Sequence, residues 1–297
     1  MTVCIAAMAV DAGMPVIMGA SDRMLTAGDI EFEPTQSKMR AVTTSIVMMI
    51  AGDAAVQGLL YQRMIQRVRA RLEADSSTWF GVEEAALMFS DELLALRNTI
   101  AGRNILAPFG LTLDSFVRSQ DHIPAAILRA LVERIQGNHF DTETIFAGLD
   151  GSGGHIFVVD GEGKVSCRDA IGFAAIGLGK WHAESQFMFD RHSPFKPGVD
   201  TLMLIYSAKR RAEVAPGVGT DTDPVIIPRL GGMTFHHPGQ FAVLEKLHRD
   251  LQTGIAKARE RANKKLLHLL ASSAAAAQPA TQARPPAADT VEKSELM

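Results

Sequence analysis

Thr2 carries, on one residue, the two groups a nucleophilic hydrolase needs. If Met1 is removed, its hydroxyl and a free α-amine share a single Cα. The amine has an unperturbed pKa of about 7.7–8.0, so near neutral pH part of it is free base. A threonine hydroxyl is a weak nucleophile by itself, and an adjacent amine is one of the ways of activating it. Thr2 opens the short apolar run Thr2-Val3-Cys4-Ile5-Ala6-Ala7-Met8. Three other positions stand out in the first fifty-odd residues. Asp22 lies in Gly19-Ala20-Ser21-Asp22-Arg23-Met24-Leu25-Thr26-Ala27-Gly28, and Lys38 follows sixteen residues later in Gln36-Ser37-Lys38-Met39. Gly52 closes the apolar run Ile46-Val47-Met48-Met49-Ile50-Ala51-Gly52 just before a helical pattern. Taken one at a time, these residues are an ordinary surface ion pair and a strand-to-helix turn.

Together they resemble the proteasome β-subunit family of N-terminal-nucleophile (Ntn) hydrolases over residues 2–58. That family has an N-terminal threonine, an Asp-Arg leading to Thr-Ala-Gly, a lysine sixteen residues after the aspartate, and an Ala-Gly after a buried strand. Here Asp22, Lys38 and Gly52 are displaced from Thr2 by one common amount, which a longer hairpin at Asp11-Ala12-Gly13 explains. The resemblance implies a threonine-type endopeptidase with Thr2, Asp22, Lys38 and Gly52 as its catalytic residues. It places Thr26, Gln36, Arg40 and Ile50 along the substrate groove. Physical reasons support these roles. A lysine ammonium beside Thr2 disfavours a second positive charge and so keeps the amine basic. Asp22 offsets the cost of enclosing that ammonium. At Gly52 no Cβ stands between the backbone N–H and a substrate carbonyl, and such a donor aimed at an oxyanion contributes about 2.7–4 kcal/mol in known cases.

The same resemblance implies a fold of class α+β, a four-layer αββα sandwich of two antiparallel sheets. It further implies a homo-oligomeric ring or related assembly, peptide or unfolded-protein substrates, a possible ATPase partner, a cytoplasmic location and no cofactor or metal. Two departures weaken the bracing around the threonine. Where the family has serine in a Gly-x-Gly turn against the nucleophile's amine, this chain has Leu178 in Gly177-Leu178-Gly179. Where the family follows its last core helix with an aspartate and a serine, this chain has Glu213 and Pro216, Glu213 being the candidate replacement for the aspartate. A small-molecule amidase or acylase on the same fold, and a non-catalytic scaffold subunit, are the alternatives these departures leave open.

The chain of 297 residues is 47% apolar and 21% charged with a net charge of −3, enough core material for one layered domain and no basic block for nucleic acid. Its two cysteines, Cys4 and Cys167, sit in apolar strand-like runs and are expected to be buried free thiols in a reducing compartment. No apolar run approaches 18 residues and the N-terminus has no basic leader, so neither a membrane span nor a signal peptide is expected.

The elements that must position the site follow from periodicity. A hairpin is expected over residues 3–10 and 14–20, a second over 24–44, and a buried strand over 46–51. Helices are expected from Asp53 and over 82–100. A helical insertion beyond a minimal β-subunit occupies about 101–141, with helices at 114–118 and 124–136. Strands follow at 143–149, 155–160, 164–167 and 172–176, then a helix after Gly179 and another at 198–211. Strands at 224–230 and 233–236 close the domain at 238. Adjacent His236 and His237 would point to opposite faces of a strand and so do not form a metal pair. A long amphipathic helix is expected over 239–270, and the Ala/Pro/Ser/Thr/Gln-rich stretch 271–297 is expected to be disordered.

Overall fold

In the computed structural model the described residues are 2–27, 30–34, 37–75, 77–230, 232–235 and 242–276. The hairpin that follows Thr2 forms as its pattern predicts: β1 (Cys4–Asp11) pairs antiparallel with β2 (Met14–Ser21). Its turn places Ala12 at φ 48° and Gly13 at φ 79°, a left-handed pair that glycine tolerates best. The expected second hairpin over 24–44 does not form as one unit. Instead β3 (Leu25–Ala27) and β4 (Ile30–Phe32) make a two-stranded ribbon, while β5 (Met39–Ala41) joins a different sheet beside β6 (Ile46–Gly52). Pro34 has no N–H for a ladder, and Lys38, just before β5, reaches Thr2.

Helix α1 (Ala54–Ala74) starts directly after β6, capped by Asp53, whose carboxylate accepts from the Ala55 and Val56 amides; such a cap contributes about 1 kcal/mol. Helix α2 (Val82–Ala101) follows. The segment expected to be an insertion is helical, with a π-turn at Gly102–Leu106, then α3 (Leu113–Arg118) and α4 (Ala125–Gln136). It has its own small core of Ile105, Leu106, Phe116 and Leu131. Next come β7 (Thr142–Leu149), β8 (Gly154–Val159), β9 (Val165–Cys167) and β10 (Phe173–Ile176), then α5 (Lys180–Phe189) and α6 (Gly198–Ala212). The domain ends with β11 (Asp223–Pro228) and β12 (Thr234–Phe235); His236 lies outside the described residues.

The two main sheets are antiparallel, ordered β10-β1-β2-β11-β12 and β5-β6-β7-β8-β9. Strand alternation gives each sheet two apolar faces. Cys4, Ile17, Met49, Ile145, Ile156 and Val225 fill the space between the sheets. Ile5, Val16 and Phe173 pack on Phe187, Leu204 and Ala208 of α5 and α6. Met48, Phe146 and Phe157 pack on Leu60, Met64, Phe89 and Leu93 of α1 and α2. This mixed α+β arrangement of two antiparallel sheets with helices is compatible with the expected sandwich.

Two compact units result, Met1–His248 and Arg249–Met297. Helix α7 (Ala242–Ala276) begins in the first and supplies the described part of the second. It runs six residues past the expected end at 270, because Ala271 and the alanines at 274–276 are strong helix formers. Within the second unit its leucines and Ile255 are exposed. Of the stretch expected to be disordered, residues 277–297 lie outside the described residues. No helix among the described residues is long and apolar enough to cross a membrane. The expectation of two buried thiols fails at Cys167, which is exposed because β9 is an edge strand; Cys4 is buried.

His192 gives the fold a pH dependence. It packs edge-on against Phe173 and Phe187, and among the described residues neither ring nitrogen reaches a partner in good geometry, although Gly172 and Met8 backbone atoms lie close. Burial holds its pKa below the ordinary value, with the nearby Lys196 acting in the same direction. A histidine depressed in the folded state binds its proton more readily when unfolded. Its stabilising contribution is therefore complete above the unfolded pKa of about 6.5 and is lost as pH falls from there through the lower folded pKa. His248 is depressed by burial too and adds to the effect. Thermal melts of wild type and His192→Phe from pH 8 to 5 are expected to diverge below about pH 6.5, with the variant losing less. Parallel curves would contradict this.

Candidate active site

Four separate segments bring the site together. Thr2 precedes β1, Asp22 follows β2, Lys38 precedes β5 and Gly52 ends β6. Pairing of Cys4 with Ser21 across the hairpin brings Thr2 and Asp22 to the same end of the sheet. Thr2 is 2% exposed and Asp22 is fully buried. The Thr2 hydroxyl donates a short hydrogen bond to Asp22 Oδ1, and the Lys38 ammonium donates one to Thr2 Oγ1. Lys38 Nζ lies 2.9 Å from Asp22 Oδ1. The Val3 amide also donates to Oδ1 at 2.9 Å, while Oδ2 accepts from the Met24 amide at 3.1 Å and the Gly219 amide at 3.0 Å. A buried carboxylate is costly unless its lone pairs are filled, and five donors fill these.

Two cavities open onto Thr2. One, of about 450 Å³, is lined by Leu25, Phe32, Pro34, Lys38, Arg40, Ile50, Gly52 and Gln57 among others. Its walls include two of the expected groove residues, Arg40 and Ile50. Thr26 lies in the β3–β4 ribbon, and Gln36 lies outside the described residues. The other cavity, of about 570 Å³, has Gly52, Asp141, Glu143, Asp160, Leu178 and Lys180 in its wall. Gly52 therefore stands between the two, with φ 106°. A Cβ there would fall 1.9 Å from the Asp141 carbonyl oxygen, so only glycine fits. Gly177 lies close against Thr2, since a Cβ on it would fall 2.3 Å from the Thr2 carbonyl oxygen.

Of the two bracing candidates, Leu178 lines a cavity with Thr2 and Glu213 pairs with basic residues of α6. Leu178 sits on the rim of the second cavity with about half its surface (53%) exposed, so it does not seal Thr2 from water. Glu213 turns to Lys209 at 2.6 Å and Arg210 at 3.0 Å. Other contacts hold Asp22 and the segment beside it. The Gly219 amide holds Asp22, and Arg23 donates to Asp223 from Nε at 2.8 Å and Nη2 at 2.5 Å. These contacts join residues about 200 apart in sequence, which local pattern does not reveal.

Other nucleophile candidates are less suited. Cys4 is completely buried, its Sγ 3.4 Å from the Ile50 carbonyl oxygen, and burial pushes its pKa up to about 12. Its thiolate population near neutral pH is negligible. Ser152, His155 and Asp169 form a hydrogen-bonded chain, with Ser152 Oγ 2.7 Å from His155 Nε2 and His155 Nδ1 2.6 Å from Asp169 Oδ2. The Ser152 hydroxyl and amide also bind Asp150 Oδ1, and Asp150 Oδ2 accepts from the Val82 amide. This chain ties the β7–β8 turn to the start of α2.

The Thr2 cluster can therefore present a hydroxyl oxygen to an electrophile in either cavity, with a cation against it and a carboxylate holding both. Comparison with models of known protein families finds no match, and no curated protein matches the chain.

Proposed function

We propose that the chain is an Ntn hydrolase of the proteasome β-subunit type, a threonine peptidase whose nucleophile is Thr2 with a free amine. The observation that carries this reading is the buried Thr2–Asp22–Lys38 cluster opening onto two cavities. Thr2 Oγ1 would attack a peptide carbonyl carbon, forming the C–O bond as its proton passes to the α-amine, directly or through water. The carbonyl electrons would go to an oxyanion held by the Gly52 N–H. Collapse would break the C–N bond, the amine returning the proton to the leaving nitrogen. Water would then hydrolyse the ester and restore the hydroxyl. Lys38 favours this sequence by disfavouring a charged amine and by stabilising developing negative charge on Oγ1.

The apolar wall of Leu25, Phe32, Pro34 and Ile50, with Arg40 at its side, suits an extended peptide carrying an apolar side chain into the first cavity. Exposed Trp181, Phe189, Phe195 and Val199 on and beside α5 and α6 support assembly into a homo-oligomer, proposed here as a ring acting in the cytoplasm with an ATPase as possible partner. The reading requires that the mature chain begin at Thr2. The test is turnover of fluorogenic peptides and of unfolded protein by purified chain whose intact mass shows loss of Met1. Cleavage of small amides alone would indicate the amidase alternative. Retention of Met1 with no cleavage would indicate a scaffold subunit.

A further inference from the structure

Lys209, in the last turn of α6, is a lysine with no exposed surface. Its ammonium meets three acceptors, Glu213 Oε1 at 2.6 Å, the Gly219 carbonyl at 2.9 Å and the Thr220 carbonyl at 2.7 Å. Three hydrogens thus meet three oxygens that converge on one point, which suits a compact ammonium and not a planar guanidinium. Burying such a group costs free energy even when paired, so its presence calls for more than a contribution to stability. The segment it ties down, 213–222, has no regular secondary structure of its own. Yet the Gly219 N–H of that segment donates to Asp22 Oδ2 at 3.0 Å. Gly219 can come that near because it lacks a Cβ, which would lie 1.9 Å from Glu33 Oε1 and 3.0 Å from the Met24 Cβ.

We propose that Lys209 is a positioning residue for the Thr2 centre, holding the Gly219–Thr220 backbone where the Gly219 N–H can fix the Asp22 carboxylate. The Met24 and Gly219 amides together hold Oδ2, which leaves Oδ1 facing Thr2 and Lys38. Arg23 and Asp223 clamp the far end of the same segment. Without the ammonium, the Gly219 carbonyl loses its donor, the loop relaxes, and the carboxylate is free to rotate away from the hydroxyl. Glu213 then acts at one remove, by neutralising Lys209.

The inference rests on Thr2 being the nucleophile, and its test separates the two claims. Lys209→Met keeps the unbranched side chain to the Cε position and removes the donor. Lys209→Met/Glu213→Gln also removes the carboxylate that the first change leaves with Arg210 as its remaining cation. Native-state hydrogen exchange at the Gly219 amide, measured by NMR, reads the tie without any need for turnover. Both variants are expected to lose protection at Gly219 by about tenfold or more, with the Val3 amide, another Asp22 donor, much less affected. In peptide assays kcat is expected to fall by about 10–100-fold with KM within about twofold, because the substrate cavities are untouched. The double variant is expected to regain melting temperature but not kcat. Unchanged Gly219 protection, unchanged kcat in the single variant, or recovery of kcat together with stability in the double variant would each overturn the proposal. A wild-type protein that cleaves no peptide would overturn the hydrolase reading instead, and Gly219 exchange would still decide the role of Lys209.

Discussion

Thr2→Ala is expected to lower peptide turnover to the background of the assay while leaving the melting temperature within a few degrees of wild type. Removing the nucleophile from a hydrolase that works through a covalent ester typically costs on the order of 10⁶-fold in kcat. The change removes a buried hydroxyl from between Lys38 and Asp22, but those two remain 2.9 Å apart and can still pair. Stability therefore changes by a hydrogen bond or so, about 0.5–1.5 kcal/mol. Thr2→Ser, which keeps the oxygen, is expected to retain measurable turnover. Equal activity in Thr2→Ala and wild type would remove Thr2 from the chemistry.

Gly52→Ala should damage activity and stability together, for reasons that can be told apart. With φ at 106° the backbone is outside the range an alanine accepts, and the added methyl would overlap the Asp141 carbonyl at 1.9 Å. Strain of the first kind alone costs about 1–3 kcal/mol, a loss of several degrees in melting temperature. The strand end must shift to relieve the overlap, and the N–H shifts with it. Loss of one oxyanion donor costs about 10²–10³-fold in kcat. Circular dichroism melts and steady-state kinetics check the two effects separately. A variant that is less stable but turns over at the wild-type rate would show that the Gly52 N–H does not hold the oxyanion.

The hairpin of residues 3–20 and the strand ending at Gly52 were legible in sequence because each is a local pattern of apolar residues bounded by a turn or cap. Thr2, Asp22, Lys38 and Gly52 were legible through the family resemblance, whose spacing they share; local pattern alone gives an ordinary ion pair and a strand-to-helix turn. The path between Asp22 and Lys38 was not: two short runs with compatible alternation read as one hairpin, and only tertiary pairing sends β3–β4 and β5 to different partners. Lys209 was hidden more completely. It stands beside Arg210 and Arg211 at the C-terminal end of α6, where basic residues are expected simply to face solvent and the helix dipole. Its burial depends on how the later 213–222 segment folds back. Glu213 was singled out by the resemblance as a replacement for the family's aspartate; its carboxylate pairs with Lys209 and Arg210, and the proposed link from it to Thr2 runs through Lys209 and the Gly219 amide. Leu178 shows the converse, a residue whose position by Thr2 was legible while its exposure was not.

The central claim is that an N-terminal Thr2 hydroxyl forms the covalent bond with substrate. It is tested most directly by mass spectrometry of the protein after reaction with a peptide bearing an acylating electrophile that hydrolyses slowly. The intact mass is predicted to show a chain lacking Met1 with one acyl group added, and peptide mapping to place that group on Thr2. No adduct is expected in Thr2→Ala. An adduct on Ser152 or Cys167 with Thr2 unmodified, or acylation of a chain that still carries Met1, would contradict the account.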